Sequence, residues 1–157
     1  MRQFCLIILV AALLAPAAAL AGDRAAGDGS LAVTGGNATI TIQGRGLVYG
    51  HFDSGTLMVM EYKPDDPTTA ISVGAPKVKG PRGVATYVGS DVRFLLPSGR
   101  YTIELIASGI NMSAVGRGNF SATGAGTPDD GSYTVNGGKP QPIAKLPGGQ
   151  TFGSRSG

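Results

Sequence analysis

Along most of this chain apolar and polar residues alternate with a period of two, the pattern of half-buried β-strands. The clearest stretch runs from Asp91 to Ser108. Val92, Phe94 and Leu96 fall on one side, joined after Pro97-Ser98-Gly99-Arg100 by Tyr101, Ile103, Leu105 and Ala107. Arg93, Thr102 and Glu104 fall on the other. The pattern predicts a β-hairpin. A four-residue loop sets Leu96 opposite Tyr101, Phe94 opposite Ile103 and Val92 opposite Leu105, and it pairs Arg93 with Glu104 across the strands. A three-residue loop would set the apolar side chains against polar ones. Pro97 followed by Ser-Gly suits a type I turn.

The same alternation predicts further strands. Leu31 and Val33 precede a Gly35-Gly36 turn, and Ala38, Ile40 and Ile42 lead to Gly44-Arg45-Gly46. Leu47–Phe52 and Leu57–Tyr62 predict a second hairpin around Asp53-Ser54-Gly55. Both faces of Leu57-Met58-Val59-Met60 are apolar, which leaves that strand's core side open. Lys63 to Gly83 holds Pro64, Pro67, Pro76 and Pro81 and reads as a long crossing loop, with a short strand around Ile71 to Val73. Val84 to Val88 adds another strand. After Ser108, the run Ile110, Met112, Ala114 and Val115 leads into Gly116-Arg117-Gly118 and the small residues of Phe120 to Gly126. Glycines inside strands mark bulges or close backbone approach. Tyr133 and Val135 make a last short strand. Eight or nine short strands separated by glycine turns predict an all-β fold. The reading is a single antiparallel β-sandwich, with a flattened β-barrel as the alternative. One echo spans the chain: Asp28-Gly29-Ser30-x-x-Val33-x-Gly35-Gly36 recurs as Asp130-Gly131-Ser132-x-x-Val135-x-Gly137-Gly138. Shared turn chemistry accounts for it, because no fixed repeat period exists.

The N-terminus breaks the alternation. Met1-Arg2, the apolar run Phe4 to Leu14, and Ala19-Leu20-Ala21 ahead of Gly22 have the layout of a secretory signal peptide, with cleavage expected after Ala21. Pro16 interrupts the stretch and no basic stop-transfer cluster follows, so the cleaved chain is not expected to be an integral membrane protein. The expected organisation is a signal peptide over 1–21, a flexible mature N-terminus over 22–29, a β-sandwich domain over 30–138 and a disordered Pro/Gly-rich tail over 139–157. The expected location is secreted, or outside the cytoplasm.

Composition narrows the function classes. Cys5, the sole cysteine, lies in the signal, so the mature chain has neither a disulfide nor a thiol nucleophile. Its charge is 12 Lys+Arg (13 less Arg2) against 10 Asp+Glu, or +2, too weak to imply nucleic acid or an anionic membrane as partner. All 26 glycines lie among its 136 residues (157 less 21), far above the usual 7% or so.

Candidate chemistry is sparse. His51 is the only histidine and reads as structural, and with no cysteine a transition-metal site is not expected. Glu61 and Glu104 are the only glutamates; a hydrolase could use such a pair of carboxylates, but Glu104 reads first as the partner of Arg93. Asp28, Asp65-Asp66 and Asp129-Asp130 lie in turns and could hold calcium, although aspartate is also an ordinary turn former. Lys77, Lys79 and Arg82 form a basic loop without interleaved aromatics. No catalytic, cofactor-binding or metal residue is assigned, and no cofactor is expected.

Ser90-Asp91-Val92-Arg93-Phe94, Ser108 to Gly118, and Pro128-Asp129-Asp130-Gly131-Ser132-Tyr133-x-x-Asn136-Gly137-Gly138 resemble segments of exported all-β proteins of actinobacterial type. The resemblance covers about Asp28 to Gly138 and implies bacterial export. It carries no activity and no functional residue. The expectation is therefore a secreted, non-enzymatic β-sandwich, a binding or structural module at or outside the cell envelope. Its partner would be an envelope component or another extracellular protein. The candidate surface is Gly116 to Gly126 with the Lys63 to Gly83 loop. A secreted hydrolase using Glu61 and Glu104 and a calcium-stabilised module are the alternatives.

Overall fold

A computed structural model describes residues 27–61, 72–78, 80–81, 83–97, 99–146 and 148–153. The strands are β1 (Gly29–Thr34), β2 (Asn37–Glu61), β3 (Ser72–Val73), β4 (Lys77–Val78), β5 (Val84–Leu96), β6 (Arg100–Ser108), β7 (Asn111–Gly124), β8 (Ser132–Val135), β9 (Gln141–Pro142) and β10 (Gln150–Phe152). Single 3-10 turns occupy Pro128–Asp130 and Ile143–Lys145. Every pairing is antiparallel, and all the strands belong to one sheet.

β2, at 25 residues, is several times the usual strand length, and its pairing shows how it is used. Residues 37–45 pair along one edge of β6, and residues 54–61 pair along its other edge in the same sense. Arg45 lies opposite the start of β6 and Ser54 opposite its end, so the intervening residues travel back the length of β6. Both edges of β6 are already taken. That return therefore runs in a second layer, facing β6 across the core. β5 and β7 change layer with it, because 48–52 lie between 92–96 of β5 and 111–114 of β7. The first layer reads 84–90 of β5, 54–61 of β2, β6, 37–45 of β2, 117–124 of β7, then β10. The second reads β3, 92–96 of β5, 47–52 of β2, 111–116 of β7, β1, β8, β9. The result is a sandwich-like all-β fold made by folding one sheet over itself without closing it.

β2 and β7 turn the corner together where Gly44-Arg45-Gly46 pairs with Gly118-Arg117-Gly116. A Cβ on any of these four glycines would collide with the opposite backbone. Gly46 and Gly116 also hold φ of 132° and 149°, a region that residues with a side chain avoid. The second corner lies where Asp53-Ser54 of β2 meets Ser90-Asp91 of β5, and Asp91 sits at φ 52°.

Between the layers lie Val48 and Phe52 from the middle of β2, Val92, Phe94 and Leu96 from β5, and Ile103 and Leu105 from β6, all buried. The Phe52 and Phe94 rings meet at 6.3 Å. Tyr101 closes the core beside the glycine corner, its hydroxyl donating to the Gly46 carbonyl at 2.6 Å. Burial pushes its phenol above the ordinary tyrosine range.

Several expectations are corrected. β5 and β6 are not paired as a hairpin. The predicted inward residues do point inward, but from opposite layers, so Val92, Phe94 and Leu96 face the β6 side chains across the core. Arg93 is in register with His51, and Glu104 with Thr41 and Met58, so the predicted Arg93–Glu104 pair does not form. Alternation reports which side of a strand meets the core, and a hairpin and an arch across the core both satisfy it. The second predicted hairpin is also absent: 47–61 is one continuous strand crossing a corner. The tail expected to be disordered is folded as far as Gly153. There β9 pairs with β8, β10 pairs with β7, and Ile143 and Phe152 are buried in the core. Two apolar residues spaced nine apart among prolines and glycines carry no periodicity, which is why the docking was not legible. Gly29 begins β1, and the Asp28 carboxylate accepts from Arg117 Nε–H at 3.0 Å, so the domain begins before residue 30. Residues 1–26, with the expected signal and cleavage site, lie outside the described residues.

Gly116→Ala is expected to lose about 3 kcal/mol or more of stability, because both the backbone conformation and the space exclude a methyl group; urea denaturation measures it. Tyr101→Phe should cost about 1–3 kcal/mol by leaving the Gly46 carbonyl without its donor. The raised phenol also sets a pH dependence. A group whose folded pKa lies above its unfolded value contributes stability that is full below the unfolded value, here about pH 10, and declines as the unfolded chain ionises above it. Stability of the wild type should fall above about pH 10 more steeply than that of Tyr101→Phe, as read from unfolding curves in alkaline buffers.

Candidate functional site on the outer face of the β5–β2–β6 layer

Residues directly opposite each other in a sheet share a face. In the first layer Leu57, Val59, Ile103 and Leu105 point to the core, which turns Thr56, Met58, Met60, Thr102, Glu104 and Ile106 outward. Their register builds two rows across the strands. One reads Val88, Thr56, Ile106, Thr39, Thr123, and the next reads Val78, Thr86, Met58, Glu104, Thr41, Ser121. The β5–β2–β6 half of the face mixes Val78, Val88, Met58, Met60 and Ile106 with Thr56, Thr86, Thr102 and Glu104, and the half formed by β2, β7 and β10 carries hydroxyls and amides. Val78, Val88 and Ile106 are 43%, 46% and 45% exposed, with Leu95 at 42% the most solvated large apolar side chains among the described residues.

Glu104 stands in the middle of this face, half-buried, with Met58 on one side and Thr41 on the other. Among the described residues no hydrogen bond or ion pair reaches its carboxylate. Position 61 is opposite Tyr101, whereas Glu104 is opposite Met58. The two positions lie three residues apart along the ladder, and the side chain of Glu61 lies outside what the structure describes.

His51 points outward from the second layer at the Asp53–Asp91 corner. Its Nε2 is 2.8 Å from Asp91 Oδ1, and its Nδ1 is 3.9 Å from Asp53 Oδ1. The two aspartates address opposite edges of the ring, so this is a clasp across the bend. No serine bonds the imidazole among the described residues. Of the turn aspartates, Asp28 is tied to Arg117 with both side chains mostly buried. Asp130 is buried, and its carboxylate accepts from the N–H groups of Ala125 at 2.8 Å, Gly126 at 2.7 Å and Thr127 at 3.1 Å. Asp65, Asp66, Lys79 and Arg82 lie outside the described residues; Lys77 is exposed on β4. Among the described residues no three His, Cys, Asp or Glu side chains gather as metal ligands, and no helix is long and apolar enough to cross a membrane.

The predicted surface at Gly116 to Gly126 is strand rather than loop as far as Gly124. Residues 62–71 of its partner segment lie outside the described residues, and within the remainder β3 and β4 pair with β5. The outer face went unrecognised in the sequence, although its signal was there in the two-sided apolar run Leu57-Met58-Val59-Met60. Leu57 and Val59 serve the core, and Met58 and Met60 serve the surface.

Asp130→Ala leaves three backbone donors without an acceptor and is expected to cost about 3 kcal/mol, measured by chemical denaturation. Because those N–H groups already occupy the carboxylate, excess calcium or a chelator should leave the wild-type Tm unchanged. The chain matches no family model, no curated protein and no solved structure.

Proposed function

We propose that this chain is an exported, non-enzymatic binding module that acts at or outside the cell envelope through the outer face of its β5–β2–β6 layer. One observation carries the reading: Val78, Val88 and Ile106 stand exposed on a single sheet face, next to Met58 and Met60. Isolated apolar residues on a surface need no explanation, but a group of them on one rigid face marks an interaction site. The polar groups most suggestive of chemistry point the same way. Asp28, Asp130 and Tyr101 are held in contacts that maintain the fold. Location at the envelope rests on the signal-like N-terminus and on the resemblance to exported actinobacterial proteins.

The test is co-sedimentation of the chain Gly22–Gly157 with isolated cell envelopes at low and high salt. Pelleting that survives high salt is expected, because apolar contact is not screened as exposed charge is. Ile106→Asp should move the protein to the supernatant with an unchanged melting curve. A wild-type protein that stays in the supernatant at both salt concentrations overturns envelope binding.

A further inference from the structure

We infer that the partner of this face presents an apolar surface with one cationic group at its border, which pairs with Glu104. The inference rests on the binding reading above and adds the partner's chemistry. Glu104 is half-buried on β6 where the apolar half of the face meets the hydroxyl half, with Met58 on one side, Thr41 on the other and Ile106 two residues along β6. Among the described residues its carboxylate has no hydrogen-bonding or ionic partner. Arg45 and Arg100, in register with each other, lie on the same layer four residues farther along the strands, about 13 Å at 3.3 Å per residue. Lys77 is at the β4 edge, beside Val78.

A surface that covers Val88 and Ile106 must also strip water from Glu104. An unpaired carboxylate buried in this way opposes binding, and a matching cation with a good contact removes the opposition. The carboxylate thus selects among apolar partners. A lipid tail region or an uncharged hydrophobic surface is rejected, and an ammonium or guanidinium beside the apolar contact is accepted. A second copy docked about a two-fold axis through Glu104 would set two carboxylates against each other, so self-association about that axis is disfavoured.

The experiment uses the chain Gly22–Gly157 and two synthetic apolar peptides that differ at one position flanking the apolar run, lysine in one and glutamate in the other. Fluorescence anisotropy reads the affinities. The lysine peptide should bind the wild type at least about tenfold tighter than the glutamate peptide, and Glu104→Lys should reverse the preference. Glu104→Gln should bind both about equally. Failure of the lysine peptide to bind the wild type, or equal binding of both peptides by wild type and Glu104→Lys, overturns the cationic partner. A dimer in sedimentation velocity that Ile106→Asp dissociates would assign the face to a second copy and overturn it also. Envelope co-sedimentation separates the two levels of the argument. Pelleting lost in Ile106→Asp but unchanged in Glu104→Lys rejects the cation and keeps the binding face. Pelleting unchanged in both variants rejects the face itself.

Discussion

Two backbones packed closely at Gly44–Gly46 and Gly116–Gly118 let β2 serve both layers. A strand that hydrogen-bonds both edges of β6 has to leave the plane of β6 and come back, and both bends must be made without breaking the ladders on either side. At the first bend the absence of four β-carbons allows this. At the second, Asp91 accepts a left-handed conformation and His51 bridges to it from β2. Everything else follows from the path of β2. β5 and β7 bend because they are its neighbours, and β6 fills the slot between its two arms.

The same path explains where the polar groups go. A folded-over sheet has ends as well as faces, and backbone groups near the ends need partners. Tyr101 supplies one at the glycine corner, Asp130 supplies an acceptor for three donors in the β7–β8 connection, and the Asn136 carboxamide accepts from Ser30 and Gly153. The echoed segments 28–36 and 130–138 are adjacent antiparallel strands, which places the turn chemistry of each near the other. With Cys5 as the only cysteine no internal disulfide is available, so packing and these local staples hold the sandwich together.

The outer face of the β5–β2–β6 layer takes no part in the core. Inward positions of β2 and β6 are filled by Leu57, Val59, Ile103 and Leu105, and the outward positions beside them mix Met58, Met60 and Ile106 with Thr56, Thr102 and Glu104, whose carboxylate has no partner among the described residues. A core needs only one apolar side per strand. Met58, Met60 and Ile106 therefore serve no core, and this is what supports the proposal of an interaction surface on this side.

Period-two alternation determined a great deal by itself. It identified Val92, Phe94, Leu96, Tyr101, Ile103 and Leu105 as core residues, and it identified the all-β class, because side-chain direction in a strand depends only on the local pleat. The same alternation could not say which strands pair. Hydrogen bonding between strands is a property of backbone edges, and edges carry no side-chain signature. The hairpins around Pro97–Arg100 and Asp53–Gly55 were natural readings that the tertiary structure replaced with an arch and a corner. Docking of Ile143 and Phe152 lay beyond any local pattern for the same reason. Only when β2 flanks β6 on both sides do Met58 and Glu104 become neighbours on an open face. The sequence determined which way each side chain faces, and the tertiary structure alone decided what it faces, because contacts between distant strands are set by the path of the chain.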